Sequence, residues 1–561
     1  MHIANEEHNE GHLIELIREE MKANPYHRLM TTRFPPEPNG YLHIGSAYAI
    51  RTNAEIAKTF GGNFHLRFDD TNPLKEDSKY VQSIIEDIRW LGYDPGPHIY
   101  YGSDYSERIY EAAMLLVKRG KAYVCDLTPS ELAASRGTLT EAGQNSPYRG
   151  RSVDENVSLF EGMREGRFAT SSKVLRARID MASPNMNLRD PVLYRIVHAE
   201  HYRTGKAWCI YPMYDFAHPI QDAIEGVTYS LCSLEFKDHR PLYEWVLNEL
   251  GVDAPPRQRE FGRLGLTGVV TSKRYLRQLV EGGHVDGWDD PRLPTLRGLR
   301  RRGYTPASIR AFVDAIGSIR SYSTVDISLL DQCLRQDLKE STVNVMAVLR
   351  PLKVVITNYP EGESELLKIE NNVSNAALGT REVAFSRTLY IEREDFAEEP
   401  PAGYHRLKPG GEVRLKGAYF IRCNEIVKDP ATGEPIELRC TFDPETKSGS
   451  GFSRRKVKGT IHWVSAEHAV SAAVNLYDRL LADEALPSKE EETDWTKLLN
   501  PDSHIPLEGV MLEPYALLKE TGDRLQFFRH GYFVADAGSA EKGRLAFNRI
   551  VPLKDSWSSK G

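Results

Sequence analysis

Three short stretches of this chain combine residue types that could act on phosphates and on a small charged substrate. In Gly40-Tyr41-Leu42-His43-Ile44-Gly45-Ser46-Ala47, an imidazole, a glycine and a hydroxyl fall where extended backbone gives way to a helical run. A helix N-terminus carries unpaired N–H groups and a partial positive charge that attract phosphate, and Gly45 lets a flat base approach the backbone. A histidine before a helix is also a common cap, so local features leave both roles open. Asp69 and Asp70 close the run Asn63-Phe64-His65-Leu66-Arg67-Phe68, which reads as a buried strand. Ligands sit at the carboxyl edge of parallel sheets, yet paired aspartates equally suit a turn and a helix cap. In Val269-Val270-Thr271-Ser272-Lys273-Arg274, a lysine on a small-residue loop can swing a compact cation onto phosphates.

The elements that must hold these groups are legible around them. Arg33-Phe34 leads into Pro35-Pro36-Glu37-Pro38-Asn39-Gly40, where prolines fix extended backbone and Asn39-Gly40 permits a tight bend. Residues 47–57, 79–91 and 106–120 read as helices and complete a βαβ pattern with the strand at 63–68. Residues 11–22 place Leu13, Ile14, Leu16, Ile17 and Met21 on one stripe of a leading amphipathic helix. From about residue 122 the pattern loosens: 138–147 is turn-rich, and 174–179 and 190–196 read as strands. We take 114–222 as a mixed α/β insertion that splits a nucleotide-binding domain, with halves 1–113 and 223–274. The parent fold resumes with a helix expected from near Ile220 and a strand from Ser230.

Residues 275–350 read as a helical domain, with 307–313 and 328–334 at helix period. After Pro351 the period changes to two. Ile436, Leu438, Cys440 and Phe442 alternate with mostly polar residues, Asp429 to Gly433 makes a turn, and 352–356 and 531–534 are further strands. Residues 351–561 are therefore expected to be all-β, interrupted by a helix-like run at 466–481 and by loops at 362–379 and 487–506.

Length and composition narrow the class. A chain of 561 residues is too long for one core. The opening residues lack a basic, then apolar, leader pattern and no run is long enough to span a membrane, so a soluble, untargeted protein is expected. Six cysteines lie without CxxC or Cys/His spacing, which predicts neither disulfides nor zinc and suits a reducing cytoplasm. The net charge of −7 argues against indiscriminate nucleic-acid binding. Locally, residues 257–310 hold twelve Lys/Arg against five Asp/Glu, a patch expected to contact RNA backbone.

The stretch Arg33 to Ala47 resembles the first signature of class I aminoacyl-tRNA synthetases, with a lead-in similar to that of glutaminyl-tRNA synthetases. Ser46 stands where that signature has a second histidine. Ser272-Lys273-Arg274 resembles the second signature, with Thr271 in place of a methionine. The resemblance extends to Gly459-Thr460-Ile461-His462-Trp463-Val464-Ser465 and covers nearly the whole chain. It implies a Rossmann-type catalytic domain with an α/β insertion for the acceptor stem, a helical domain and two C-terminal β-barrels that read the anticodon. It implies that the chain uses ATP with Mg²⁺ to join glutamine to its tRNA; a monomer, without zinc or a membrane, is expected. Glu37, Pro38, Asn39, His43, Ile44, Gly45, Ser46, Ala47, Tyr48, Ala49, Ser233, Arg263, Leu264, Thr271, Ser272 and Lys273 match its ATP site, with His43, Ser46 and Lys273 closest to the chemistry.

Of the amino-acid pocket, the matching positions are Asp69 for the ammonium, Arg33 near the carboxylate and Tyr214 for the amide, with His218, Cys232 and Gln258 around them. Leu139 matches a wedge that opens the terminal base pair, Asp238 an acceptor-stem reader, and Arg406 and Gln526 anticodon contacts. An arginine expected in a helix near 344 is Asn344 here. Three rivals are kept. A glutamyl-tRNA synthetase of the related subgroup carries Arg where Cys232 stands, because a buried carboxylate needs a cation. A non-catalytic tRNA-binding paralogue is supported by Ser46 alone. A small-molecule nucleotidylyltransferase would not need so long a β-rich tail.

Overall fold

The computed structural model describes residues 11–23, 29–74, 76–317, 319, 323–482, 494–536 and 544–553. The chain divides into two compact units, Met1–Leu266 with Val313–Val325, and Thr267–Phe312 with Asp326–Gly561.

In the first unit, α1 (His12–Ala23) precedes β1 (Thr31–Phe34), α2 (Ile44–Thr59), β2 (Asn63–Phe68), α3 (Ser78–Trp90), β3 (Ile99–Tyr101) and α4 (Ser106–Lys118). The three strands pair in parallel in the order β1-β2-β3, as the helical crossovers require. An antiparallel sheet follows, built from β4 (Ala122–Cys125), β5 (Val174–Ala177), β6 (Val192–Ile196) and β7 (Ile210–Pro212), with α5 (Pro129–Ser135) and α6 (Val153–Arg164) between its first two strands. Helix α7 (Tyr214–Ile224) returns the chain to β8 (Tyr229–Ser233), α8 (Arg240–Leu250) and β9 (Arg257–Phe261), which pairs in parallel with β8. Just before β8, Thr228 N–H donates to Thr31 O at 2.9 Å, and Thr31 N–H donates to the Thr228 hydroxyl at 2.8 Å. These bonds lay the β8 segment along the free side of β1, giving the spatial order β3-β2-β1-β8-β9 of a doubly wound nucleotide-binding fold.

The second unit holds helices Lys273–Glu281, Leu296–Arg302 and Ser328–Ser341 and two seven-stranded sheets. One sheet gathers strands between Pro351 and Ser465 around a core with Trp463, Phe385, Leu438 and Cys440. The other joins Val343–Val345 and Ala347–Val348 to strands between Val470 and Val551, around Phe527, Phe533 and Phe547. Among the described residues no helix is long and apolar enough to cross a membrane.

The structure departs from the sequence expectations in five places. The run at 466–481 contains the strand Val470–Tyr477, paired on both sides; its small and branched residues tolerate either form, and the neighbouring strands decide. The helix expected from Ile220 begins at Tyr214 and carries Pro219 inside it. The expected loop at 362–379 contains the strand Ser364–Glu370, in a hairpin with Thr380–Ser386. The span 275–350 is not wholly helical, because Ser323–Asp326, Val343–Val345 and Ala347–Val348 are strands. In the expected loop at 487–506, residues 487–493 lie outside the described residues, and His504–Leu512 is a strand.

Candidate active site

The corner between β1 and α2 is built by its own caps. His43 is the N-cap of α2: its Nδ1 accepts Gly45 N–H at 3.1 Å, and the Ser46 hydroxyl accepts His43 N–H at 3.4 Å. A Cβ at Gly45 would lie 2.9 Å from His43 Cε1, so the glycine is what lets the imidazole fold back over the helix start. Both readings of the histidine thus meet in one place, since the cap leaves the helix N-terminus at the carboxyl edge of the sheet. The lead-in loop is tied to the segment after β2, with Pro36 O accepting Asp69 N–H at 3.1 Å and Pro38 O accepting Asp77 N–H at 3.0 Å. Glu37 is exposed and takes an Asn39 amide bond.

Not all matched positions face outward. Ile44, Ala47, Tyr48 and Leu264 are buried, and the Tyr48 hydroxyl accepts Ile319 N–H at 2.9 Å, so these side chains hold the helix in place. Ala49 and Pro38 are likewise packed in part or in full. The Ser233 hydroxyl donates to Glu235 at 2.7 Å, and Arg263 is exposed, 3.9 Å from the same glutamate. Thr271, Ser272 and Lys273 belong to the second unit, where Ser272 precedes the helix Lys273–Glu281.

Behind the β1 and β2 ends lies a buried ionic network. Asp222 Oδ1 accepts Arg33 Nε at 2.9 Å and Arg67 Nη1 at 2.7 Å, while Oδ2 accepts the Tyr243 hydroxyl at 3.1 Å. Arg67 Nε donates to Asp69 Oδ1 at 2.8 Å, and its Nη1 also reaches Glu225 at 3.2 Å. With all groups ionised, two guanidinium groups face three carboxylates. One negative charge is left over, and an α-ammonium would balance it. Burial pushes Asp69 up and Glu225 up to about 7, with Arg67 opposing both. Burial acts on Asp222 in the same direction, but Arg33 and Arg67 hold it well below the usual carboxylate range.

Among the described residues, five polar atoms in and around this network are buried without a hydrogen-bond partner: Asp69 Oδ2, Arg67 Nη2, Glu225 Oε1, His218 Nε2 and Gln258 Oε1. Unpaired buried polar atoms are rare and costly, and a cluster of them beside a sheet edge marks where a polar ligand would complete the bonding. Tyr214 stacks on His218 with centroids 4.5 Å apart, and burial pushes the imidazole down to about 4, so it is neutral. Cys232 is buried with its thiol pushed up by burial, 3.8 Å from Arg33 Nη2. Ser230 and Cys232 stand opposite Gln258 and Glu260 in the β8–β9 register, and the Gln258 amide donates to Phe236 O and Glu260, each at 3.0 Å.

Arg33 itself is fully buried and also spans Leu231 O at 3.0 Å and the Ser230 hydroxyl at 2.8 Å, so its donors are largely committed to the protein. The structure therefore brings Arg33, Asp69, Tyr214, His218, Cys232 and Gln258 together and adds Arg67, Asp222, Glu225, Ser230 and Tyr243, which the sequence reading missed. A signal existed: Tyr214, His218 and Asp222 recur every four residues along one face of a helix whose other positions, apart from Asp215 and Gln221, are apolar.

The remaining matched residues lie elsewhere. Leu139 is exposed on a loop of the insertion, and exposed Asp238 sits in a short turn before α8. Arg406 contacts Glu394 O and Asp395 and lines a cavity of about 320 Å³ with Glu392, Arg529 and His530. Gln526 is the register partner of Asn344, which is on a strand and not in a helix. Of the twelve cations in the basic run at 257–310, at least five bond within the protein: Arg257 and Arg259 bond Glu20, Arg292 bonds Asp290, Arg301 bonds Asp536, and Arg302 bonds Ile550 O. Among the described residues Glu392, His462 and His530 are close enough to share a cation, but His462 Nε2 faces Ala347 O at 2.8 Å and its Nδ1 faces Arg529.

Residues 29–340 match the family model of the class I tRNA synthetases (E and Q) catalytic domain, and residues 345–443 and 460–536 match its two anticodon-binding domain models. The glutamine–tRNA ligase of Clostridium perfringens is 55% identical over 558 residues, covering 100% of both chains. That of Pseudomonas putida is 55% identical over 95% of this chain and 94% of its own, and that of Clostridioides difficile 50% identical over 99% of each. Among solved structures, a glutamate tRNA ligase from Elizabethkingia meningosepticum is similar over 55% of this chain and 70% of its own, at 18% identity and a TM-score of 0.41. With three family models matched in order and relatives aligned from end to end, the chain belongs to the glutamine–tRNA ligases of the class I (E and Q) tRNA synthetase family.

Proposed function

We propose that the protein joins L-glutamine to the 3′-terminal ribose of its cognate tRNA through a glutaminyl-adenylate, with release of AMP and pyrophosphate. The observation that carries the choice of amino acid is the pocket wall at Cys232. A neutral thiol stands there, the neighbouring Arg33 is balanced by Asp222, and among the described residues around the pocket no uncompensated cation awaits a side-chain carboxylate. Glutamate would lose its hydration without a new partner, whereas a neutral amide can bond Tyr214 and the unpaired Gln258 Oε1.

The reaction needs no protein nucleophile. The amino-acid carboxylate attacks the α-phosphorus of ATP in line, pyrophosphate leaves, and the tRNA ribose hydroxyl then attacks the adenylate. ATP brings Mg²⁺ on its phosphates. The chain contributes position and charge: the ammonium on Asp69, the α2 N-terminus with His43 and Ser46 for the nucleotide, and Lys273 for phosphate charge as it develops. Leu139 and Asp238 engage the acceptor end, and Arg406 and Gln526 the anticodon. Six free thiols suit a reducing cytoplasm.

Replacing Cys232 by Arg tests the reading. With the leftover negative charge of the network taken up by the substrate ammonium, Cys232→Arg adds a cation free to pair with a side-chain carboxylate, so kcat/KM should fall for glutamine and rise for glutamate, moving their ratio by about 100-fold. Steady-state aminoacylation with each amino acid on the glutamine tRNA measures it. A parent enzyme that prefers glutamate would overturn the assignment.

A further inference from the structure

We infer that Arg189 is a positioning residue that holds the Leu139 loop rigid, so that Leu139 can part the terminal base pair of the acceptor stem. This rests on the wedge reading of Leu139 proposed above. Leu139 is 82% exposed at the tip of the loop 136–143. A single exposed leucine is ordinary; what sets this one apart is the backbone beneath it. Arg189 is buried, and its Nη1 lies 2.9 Å from Arg136 O, 2.8 Å from Thr138 O and 2.8 Å from Glu141 O. Its Nε donates to Ser183 O at 2.7 Å. Around this cation the loop closes on itself: Thr138 N–H donates to Glu141 O at 3.1 Å, and the Thr138 hydroxyl accepts Glu141 N–H at 3.1 Å. Gly137 has φ +75°, and a Cβ there would lie 2.6 Å from Glu141 O.

Burying a guanidinium against carbonyls alone is expensive, and the loop tip it fixes covers no core. The expense is explained if the tip must not yield. Opening a terminal pair costs stacking and pairing energy, and a soft loop would bend before the pair did. The same segment carries a second tie: the Asn185 and Asn187 amides donate to Asp238 O at 2.7 and 3.2 Å. Residues 183–189, buried at Ser183 and Arg189, thus set the spacing of the wedge and of the other acceptor-stem reader from one segment.

The test compares Arg189→Gln, Gly137→Ala and Leu139→Ala on two glutamine tRNAs, one with a paired and one with a mismatched terminal acceptor pair. On the paired tRNA, Arg189→Gln should lose about 10- to 100-fold in kcat/KM, and the mismatched tRNA should bring it back to within about threefold of the parent. Gly137→Ala should behave alike with the buried cation intact, and it decides the matter if circular dichroism shows that Arg189→Gln does not fold. Equal losses on both tRNAs would mean that Arg189 serves only the fold, and would overturn the inference. If Leu139→Ala alone depends on pairing, the wedge stands and the role of Arg189 falls; if Leu139→Ala is indifferent to pairing, the wedge reading itself falls.

Discussion

Two ionic networks, one in each unit, buried in the first and half-buried at Arg529 and His530 in the second, share chemistry and differ in completeness. In the second unit, Asp395 takes both ends of the Arg529 guanidinium, Arg529 faces His462, and His462 and His530 face Glu392, which also accepts Leu349 N–H at 2.6 Å and Arg350 N–H at 3.1 Å. Arg529 adopts φ 70°, a left-handed conformation that a long side chain seldom takes, to complete it. No side-chain atom of these five residues is buried without a partner. In the first unit, Asp69, Arg67, His218 and Gln258 each keep one unpaired buried atom. A closed network fixes a fold. An open one leaves polar atoms that a ligand could complete, and with all groups ionised its excess negative charge favours a cationic one, in line with the ammonium role proposed for Asp69.

The comparison is broken most directly at Asp222. Asp222→Asn leaves two buried guanidinium groups without their shared counter-charge and should cost about 3–5 kcal/mol in denaturant unfolding, with loss of glutamine charging. A stable, active variant would mean that the arginines are neutralised elsewhere. In the closed network, Glu392→Gln should cost about 1.5–3 kcal/mol and leave the KM for glutamine unchanged. Burial pushes Glu392 up, but His462 and His530 hold it below the usual carboxylate range. Its contribution is therefore present above the unfolded value of about 4.3 and lost as pH falls through the folded value, and acid titration of the parent and variant measures this.

A smaller effect sharpens the open network. Burial raises Glu225 to about 7, so between about pH 4.3 and 7 the folded protein holds a proton that the unfolded chain has released, and stability falls as pH rises through that window. An incoming ammonium favours the ionised form. The kcat/KM for glutamine should rise by about tenfold per unit below pH 7 and level above it, and Glu225→Gln should flatten the step. His218, down at about 4, is silent in that range. Smallest is Ser46→His: the Ser46 bond to His43 N–H is long at 3.4 Å, so stability should change by less than about 1 kcal/mol and charging should hold or rise. Loss of charging in a folded Ser46→His protein would show that the corner binds ATP in another geometry.

Local chemistry determined much of this protein. Proline and Asn-Gly punctuation placed the bend before α2, apolar period placed α1, α3, α4 and the strand that leads into Asp69, and the two signature stretches implied the reaction, because each depends on neighbours in sequence. Tertiary structure decided what depends on partners far along the chain. Val470–Tyr477 is a strand because strands at 504–512 and 546–551 flank it, not because of its residues. Arg33 and Arg67 look like strand arginines until Asp222, more than 150 positions away, gathers them. The Leu139 loop reads as a turn until Arg189 is seen beneath it. Propensity is a matter of fractions of a kcal/mol per residue, whereas pairing a buried charge is a matter of several, so the long-range partners set the site.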